Sequence, residues 1–243
     1  MINIVIPIAA KRFIDENEPF QYPLPLIEIN GKTLIEYTLE GLQNIKEEVS
    51  YIFILNEDDC NKYHFDNTLR LLKPNCIIIK IKGNTKGAIC SVLMSIDQIK
   101  KESELLILNY DQYINEDLGS IINEFRRSDS DGGVISFNSV HPRWSFVKVF
   151  EGKVLQTAEK NPISNFAIAG FYYFKNTNVF IESAFDVIKY DENFEGRYYT
   201  SSVYNQMILR GLSVNNYSIN KTNYYSFYSS QKVKEFENYL LKR

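Results

Sequence analysis

Leu105-Leu106-Ile107-Leu108-Asn109-Tyr110-Asp111-Gln112 is an apolar run that stops abruptly in a polar cluster. A short run with no polar residue on either face reads as a strand covered on both sides, and such strands belong to largely parallel sheets. Similar short runs, rich in β-branched residues, lie upstream at residues 3–8, 51–55 and 76–81. Helical patterns fill the gaps. Leu34, Ile35, Leu39 and Leu42 recur at near-helical spacing within residues 33–44, behind Thr33 as a candidate cap. Residues 58–73 form a second candidate helix that Pro74 stops. Residues 85–100 carry the most regular pattern, with Ala88, Ile89, Val92, Leu93, Ile96 and Ile99 on one face. Strands alternating with helices predict βαβ units and an α/β fold.

Downstream of Gln112 the pattern changes. Residues 132–138, 145–150, 154–158 and 167–174 read as strands with few helices between them, and Gly152-Lys153 reads as the centre of a hairpin turn. Helices are expected at 178–189, 200–210 and 232–241. No repeat, linker or composition break divides the chain, so one domain over residues 1–243 is expected, with a parallel N-terminal half and a mixed-sheet C-terminal half.

The 243 residues are 44% hydrophobic and 23% charged with a net charge of −3, which are ordinary globular values. A chain this long buries roughly 70–75% of its unfolded surface and needs no staple. The charge provides no field to recruit nucleic acid, and the pair Arg126-Arg127 reads as a solvated helix face. The opening MINIVIPIAA has no basic region before its apolar run, so it reads as a strand rather than a signal peptide. No run approaches the roughly 18 apolar residues that span a bilayer, so no membrane insertion is expected. Cys60, Cys76, Cys90, His64 and His141 lack zinc-like spacing, and the sparse cysteines point to a reducing cytoplasm.

In an open α/β sheet, ligands bind beyond the carboxyl ends of the strands. That rule selects the loops after Ile8, Ile81 and Leu108, and the segment 159–165. Asp111, beside Asn109 and Gln112, suits Mg²⁺ on a bound polyphosphate, or a plain turn. Lys11 and Arg12 follow the first strand; Arg12 could fork onto a phosphate or be a surface residue, and no glycine lies between Ile2 and Asn30 to cradle one. Gly83-Asn84-Thr85-Lys86-Gly87-Ala88 opens a helix and suits an anion or a base edge, or an ordinary turn. In Glu159-Lys160 the lysine could neutralise a phosphate and the glutamate accept from sugar hydroxyls; an exposed turn is the alternative. Trp144, the single tryptophan, reads as a pocket wall or as core. With two histidines a Ser-His-Asp triad has little support.

Taken in order, Tyr22-Pro23-Leu24-Pro25-Leu26-Ile27-Glu28-Ile29-Asn30-Gly31-Lys32, Thr85-Lys86-Gly87-Ala88, Leu106-Ile107-Leu108-Asn109-Tyr110-Asp111-Gln112, Asp131-Gly132-Gly133-Val134-Ile135-Ser136-Phe137, His141-Pro142-Arg143-Trp144-Ser145, Glu159-Lys160-Asn161-Pro162-Ile163-Ser164, Ala169-Gly170-Phe171-Tyr172-Tyr173-Phe174 and Tyr204-Asn205-Gln206-Met207-Ile208 resemble the sugar-phosphate nucleotidyltransferase family. The likeness is greater to its capsule-locus branch, often labelled family 2-like glycosyltransferases.

The resemblance implies a glycosyltransferase-A-like fold with a Rossmann-like parallel half, in which residues 1–115 bind nucleotide and 116–243 bind sugar phosphate. It implies a cytoplasmic bacterial enzyme that uses Mg²⁺, a nucleoside triphosphate and a phosphorylated sugar to make an NDP-sugar for capsule or surface polysaccharide. Self-association into a homo-oligomer is compatible with it. Asp111 would bind the metal and Gly87 would pack near the base. Glu159 and Lys160 would hold the sugar and its phosphate, Gly170 would allow close backbone approach, and Arg12 would sit on the triphosphate. Lys11, Gln112 and Trp144 would join the substrate side.

Two departures stand out. The family's Gly-x-Gly-x-Arg-Phe loop is Ala9-Ala10-Lys11-Arg12-Phe13 here, and the lysine of its Pro-Lys-Pro-Leu motif is Leu24, with Lys11 the candidate substitute for it. No second metal ligand is evident near residues 201–205. These departures keep open a glycosyltransferase that uses an NDP-sugar donor, and a non-catalytic binding protein.

Overall fold

The computed structural model describes residues 1–9 and 22–242. Lys11 and Arg12 lie outside the described residues. The first half alternates as the pattern predicts. Strand β1 (Ile2–Pro7) leads to a small ladder of β2 (Glu28–Ile29) and β3 (Lys32–Thr33), and then to α1 (Leu34–Glu40). Thr33 caps α1 through a capping box with Glu36, whose carboxylate accepts from the Thr33 N–H at 2.7 Å. Strand β4 (Val49–Asn56), helices α2 (Glu57–Tyr63) and α3 (Phe65–Leu72), strand β5 (Ile77–Ile81), helix α4 (Ala88–Leu93) and strand β6 (Glu104–Leu108) follow.

Two helical expectations need correction. The helix over 58–73 is two helices, because His64 adopts a left-handed conformation (φ 54°) that ends one and starts the next. The helix over 85–100 closes after Leu93. Ser95 and Ile96 donate to carbonyls three residues back, and the Ser95 hydroxyl also bonds the Val92 carbonyl at 2.5 Å, so the chain tightens into turns.

The second half holds β7 (Gln112–Ile114), α5 (Leu118–Arg127), β8 (Gly132–Asn138), β9 (Ser145–Phe150), β10 (Lys153–Glu159) and β11 (Phe166–Phe174). It ends with α6 (Thr177–Lys189), α7 (Thr200–Leu209), β12 (Val214–Ile219), β13 (Tyr224–Ser226) and α8 (Ser230–Leu240). The β9–β10 turn centres on Glu151-Gly152, one residue earlier than expected, with positive φ at both positions.

Nine strands form one sheet in the order β5-β4-β1-β6-β11-β8-β12-β10-β9. From β5 to β6 all neighbours are parallel; β11 then runs antiparallel to β6 and opens the mixed half. The α/β expectation of a parallel half joined to a mixed half therefore holds. Side-chain alternation divides the core between the two faces. Ile4 and Ile6 of β1 and Leu106 and Leu108 of β6 pack with α1, α3, α5 and α8. Val5, Leu105 and Ile107 pack with α4, α6 and α7 on the other face. Each fully buried Ile, Leu or Phe contributes roughly 1.5–3 kcal/mol of transfer free energy, which fixes the strand register.

Candidate active site

Past Leu108 the chain turns through Asn109, Tyr110 and Asp111, then runs back as β7 against β13, where Gln112 pairs with Ser226. The loop backbone is held from three sides. The Thr38 hydroxyl of α1 is shared between the carbonyls of Tyr110 (3.2 Å) and Gln112 (3.1 Å). Phe227 N–H donates to the Asp111 carbonyl at 2.9 Å, and Asn109 N–H donates to the Gly170 carbonyl at 2.9 Å. This leaves the half-buried Asp111 side chain on a fixed backbone at the carboxyl end of β6.

Gly170 explains that fit. It sits at a bulge in β11 with φ 57°, and a Cβ there would lie 2.5 Å from Gln112 Oε1 and 2.7 Å from Asn109 Nδ2. The close approach expected at Gly170 is thus to the Asp111 loop itself. Gln112 is 2% exposed, and both ends of its amide are engaged inside the protein. Its Nε2 donates to the Gly170 carbonyl at 3.1 Å, and its Oε1 accepts from the Tyr224 hydroxyl at 3.1 Å. Gln112, read from sequence as a substrate contact, is a positioning residue here.

The opposite wall begins where β10 ends. Glu159 is the register partner of Ser145 on β9. The Ser145 and Ser201 hydroxyls both donate to Glu159 Oε2, the latter at 3.1 Å. Ser201 is fixed because α7 is clamped to β10: its carbonyl accepts from the Thr157 hydroxyl at 2.7 Å, and the Asn205 amide exchanges hydrogen bonds with the Thr157 backbone at 2.8 and 3.0 Å. Ser201 and Asn205 are therefore committed to β10.

Tyr172 of β11 is the register partner of Ile107 on β6 and of Val134 on β8, and it is buried. Burial pushes its phenol well above the ordinary tyrosine range, and the negative charges of both Glu159 and Asp111 add to that, against a hydrogen bond with Ser145. The charges of Asp111 and Glu159 thus both bear on this one phenol.

Lys160 follows Glu159 in a left-handed conformation (φ 50°), with its N–H donating to the Trp144 carbonyl at 3.0 Å. For a residue with a Cβ this backbone costs about 1–2 kcal/mol. Its ammonium lies 5.2 Å from the Phe194 ring centroid, 5.7 Å from that of Tyr199 and 4.0 Å from Glu195 Oε2. The segment carrying those residues also reaches the N-terminal half: Tyr198 N–H donates to the Lys86 carbonyl at 2.8 Å. Gly87 packs on that backbone; with φ 113°, its missing Cβ would stand 2.3 Å from the Tyr198 carbonyl oxygen.

Trp144 is half-buried and lines a cleft of about 390 Å³, edge-on to Phe137 and Tyr224. Leu24 is 2% exposed and packs in the core, so no donor is offered from that position. Sequence reasoning gave no role to Tyr172, Ser145, Ser201 or Asn205. Tyr172, Ser145 and Asn205 lie inside quoted motifs, and the serine hydroxyls announce nothing until the fold brings them to Glu159.

Among the described residues no three histidine, cysteine or acidic side chains converge as a metal cluster. A Mg²⁺ ion that arrives with a polyphosphate needs only one or two protein carboxylates, because phosphate oxygens and water complete its shell. The single carboxylate at the end of β6 fits that mode.

A family model described as nucleotidyl transferase matches residues 20–216. The chain belongs to this family. A bifunctional GlmU protein of Methanococcus aeolicus is 27% identical over 161 residues, covering 63% of this chain and 35% of that protein. The chain thus spans about a third of the length of that curated relative. The fold is shared with solved structures. A nucleoside-diphosphate-sugar pyrophosphorylase from Vibrio cholerae superposes with a TM-score of 0.82 at 21% identity, over 98% of this chain and 100% of that one. The inositol-1-phosphate CTP transferase from T. maritima gives 0.75 at 13% identity, over 97% and 94%.

Proposed function

We propose that this nucleotidyltransferase-family chain transfers a nucleotidyl group from a nucleoside triphosphate to a phosphorylated sugar, as a cytoplasmic step towards capsule or surface polysaccharide. Residues 1–115 would hold the nucleotide and 116–243 the sugar phosphate. The observation that supports the reading is the placement of Asp111 just beyond the carboxyl end of β6 and of Glu159 at the end of β10, where the Ser145 and Ser201 hydroxyls hold its carboxylate. The relatives named above, a nucleoside-diphosphate-sugar pyrophosphorylase among them, support it.

In the reaction, a phosphate oxygen of the acceptor attacks the α-phosphorus. One P–O bond forms, the bond to the β-phosphate oxygen breaks, and pyrophosphate leaves with the electron pair. Lys160 would neutralise the acceptor phosphate, and Glu159, oriented by Ser145 and Ser201, would accept from sugar hydroxyls. Asp111 and the triphosphate oxygens would hold Mg²⁺, which neutralises the phosphates. The protein's share is positioning and charge compensation.

Leu24 favours a second reading, a glycosyltransferase with an NDP-sugar donor, because its buried side chain cannot serve a triphosphate. Thermal stabilisation by each triphosphate beside its diphosphate, with Mg²⁺, separates the two. A ligand at a hundred times its Kd adds about 2.7 kcal/mol, or roughly 5–10 °C. One triphosphate acting selectively is the result expected for nucleotidyl transfer; equal or better stabilisation by the diphosphate transfers the assignment to glycosyl transfer.

A further inference from the structure

The cleft of about 390 Å³ beside Trp144 joins an aromatic floor to a basic rim. Its floor is aromatic: Phe137 stacks on Tyr224 at 4.2 Å between centroids, and Trp144 stands edge-on to Tyr224 at 5.7 Å and to Tyr228 at 6.0 Å. Its rim is basic. Arg143, Lys221 and Lys232 line it with one acid, Glu235, which pairs with Lys232. Arg143 and Lys221 remain without a carboxylate partner among the described residues, in a chain of net charge −3. The Arg143 guanidinium carbon lies over the Tyr228 ring, 3.5 Å from its centroid, a cation–π contact that holds the group while its N–H donors stay available.

Two hydrogen bonds join this cleft to the active site. The Trp144 carbonyl accepts from Lys160 N–H, and the Tyr224 hydroxyl donates to Gln112, which braces the Asp111 loop.

We infer that the cleft extends the acceptor site and takes a sugar phosphate that carries a second anionic group, a phosphate or carboxylate, with Arg143 and Lys221 as its donors. The aromatic floor offers a flat apolar wall to a sugar ring, and the cations supply charge-assisted hydrogen bonds to a second anion. The inference rests on the proposed function for what happens at the ligand's other end, but the binding can be read alone.

Trp144 is the single tryptophan, so its fluorescence reports this cleft. Glucose 1-phosphate, glucose 1,6-bisphosphate and inorganic phosphate are titrated into the wild-type protein and the Arg143→Ala/Lys221→Ala double variant. Both replaced residues are exposed, so the core is untouched. The expected result is about tenfold tighter binding of the bisphosphate than of the monophosphate. In the double variant that preference is lost while monophosphate affinity stays the same. Equal affinities in the wild type, or a preference that survives the double substitution, would overturn the inference. So would inorganic phosphate alone matching the bisphosphate with the same dependence on Arg143 and Lys221, which would make the cleft a separate anion site. Failure of the proposed function looks different: no triphosphate-dependent pyrophosphate release, with the bisphosphate preference intact.

Discussion

Gly170 has space for a hydrogen and little more, because Gln112 and Asn109 press against it from the Asp111 loop. Gly170→Ala would force the Cβ into the Gln112 side chain in a left-handed backbone. The expected cost is roughly 2–3 kcal/mol of stability, measured by urea unfolding, with a fall in kcat as the loop shifts. An unchanged midpoint and rate would show that the contact does not position Asp111. At this scale the strand-end rule selects positions and not roles: Asp111 follows β6 and Glu159 ends β10, and the parts given to them and to Lys160 belong to the proposed function. Gln112 was misread because an amide beside an aspartate looks like a ligand contact until its two partners are seen to be Gly170 and Tyr224. Tyr172 was invisible because a tyrosine in an apolar strand looks like core.

Helix α7 and strand β10 act as one element. The Asn205 amide satisfies both the N–H and the carbonyl of Thr157, and this holds Ser201 on Glu159. Asn205→Ala leaves that backbone pair without its side-chain partner, at a cost of about 1–3 kcal/mol in thermal unfolding. The acceptor KM should rise as Glu159 loses its anchor; a variant with lowered stability and unchanged KM would limit Asn205 to folding. The strands around this unit were readable from apolar runs, several to within a residue. Helix α5 and strand β12 were not. Helix α5 starts at Asp117, whose side chain accepts from Ser120 N–H, and it buries Leu118, Ile121, Ile122 and Phe125 in a segment rich in polar residues. Strand β12, Val214–Ile219, is mostly polar and gains its place by pairing with β8 and β10. The helix over 85–100 was overextended because apolar spacing cannot register the Ser95 hydroxyl competing for a backbone carbonyl.

The whole molecule sets a pH window. A hydrogen bond from Lys80, 2.6 Å away, holds the Asp66 carboxyl below its usual range, and the Ser120 backbone and hydroxyl do the same for Asp117. A depressed folded pKa gives stability that is present above the unfolded value, about 3.9, and lost as pH falls below it. At the other end, burial pushes the phenols of Tyr172, Tyr173 and Tyr204 up. Their contribution is present below the unfolded value, about 10, and lost as pH rises past it. The melting temperature should therefore be level near neutrality and fall on both sides, and Asp66→Asn should flatten part of the acid limb. An acid limb unaltered in Asp66→Asn would show that the Lys80 pair does not contribute. Between those limits the fold is held at its far end by Arg126, which joins Glu104 and Glu47 while the Tyr173 hydroxyl also donates to Glu104.

The central claim is that the site carrying Asp111 and Glu159 transfers a nucleotidyl group. Its most direct test is Mg²⁺-dependent pyrophosphate release from a panel of triphosphates with sugar phosphates, in wild type and Asp111→Asn. Release with one triphosphate, reduced about a hundredfold or more in Asp111→Asn with the fold intact, is the expected result. No release from any pair, or release that Asp111→Asn leaves unchanged, would contradict the account.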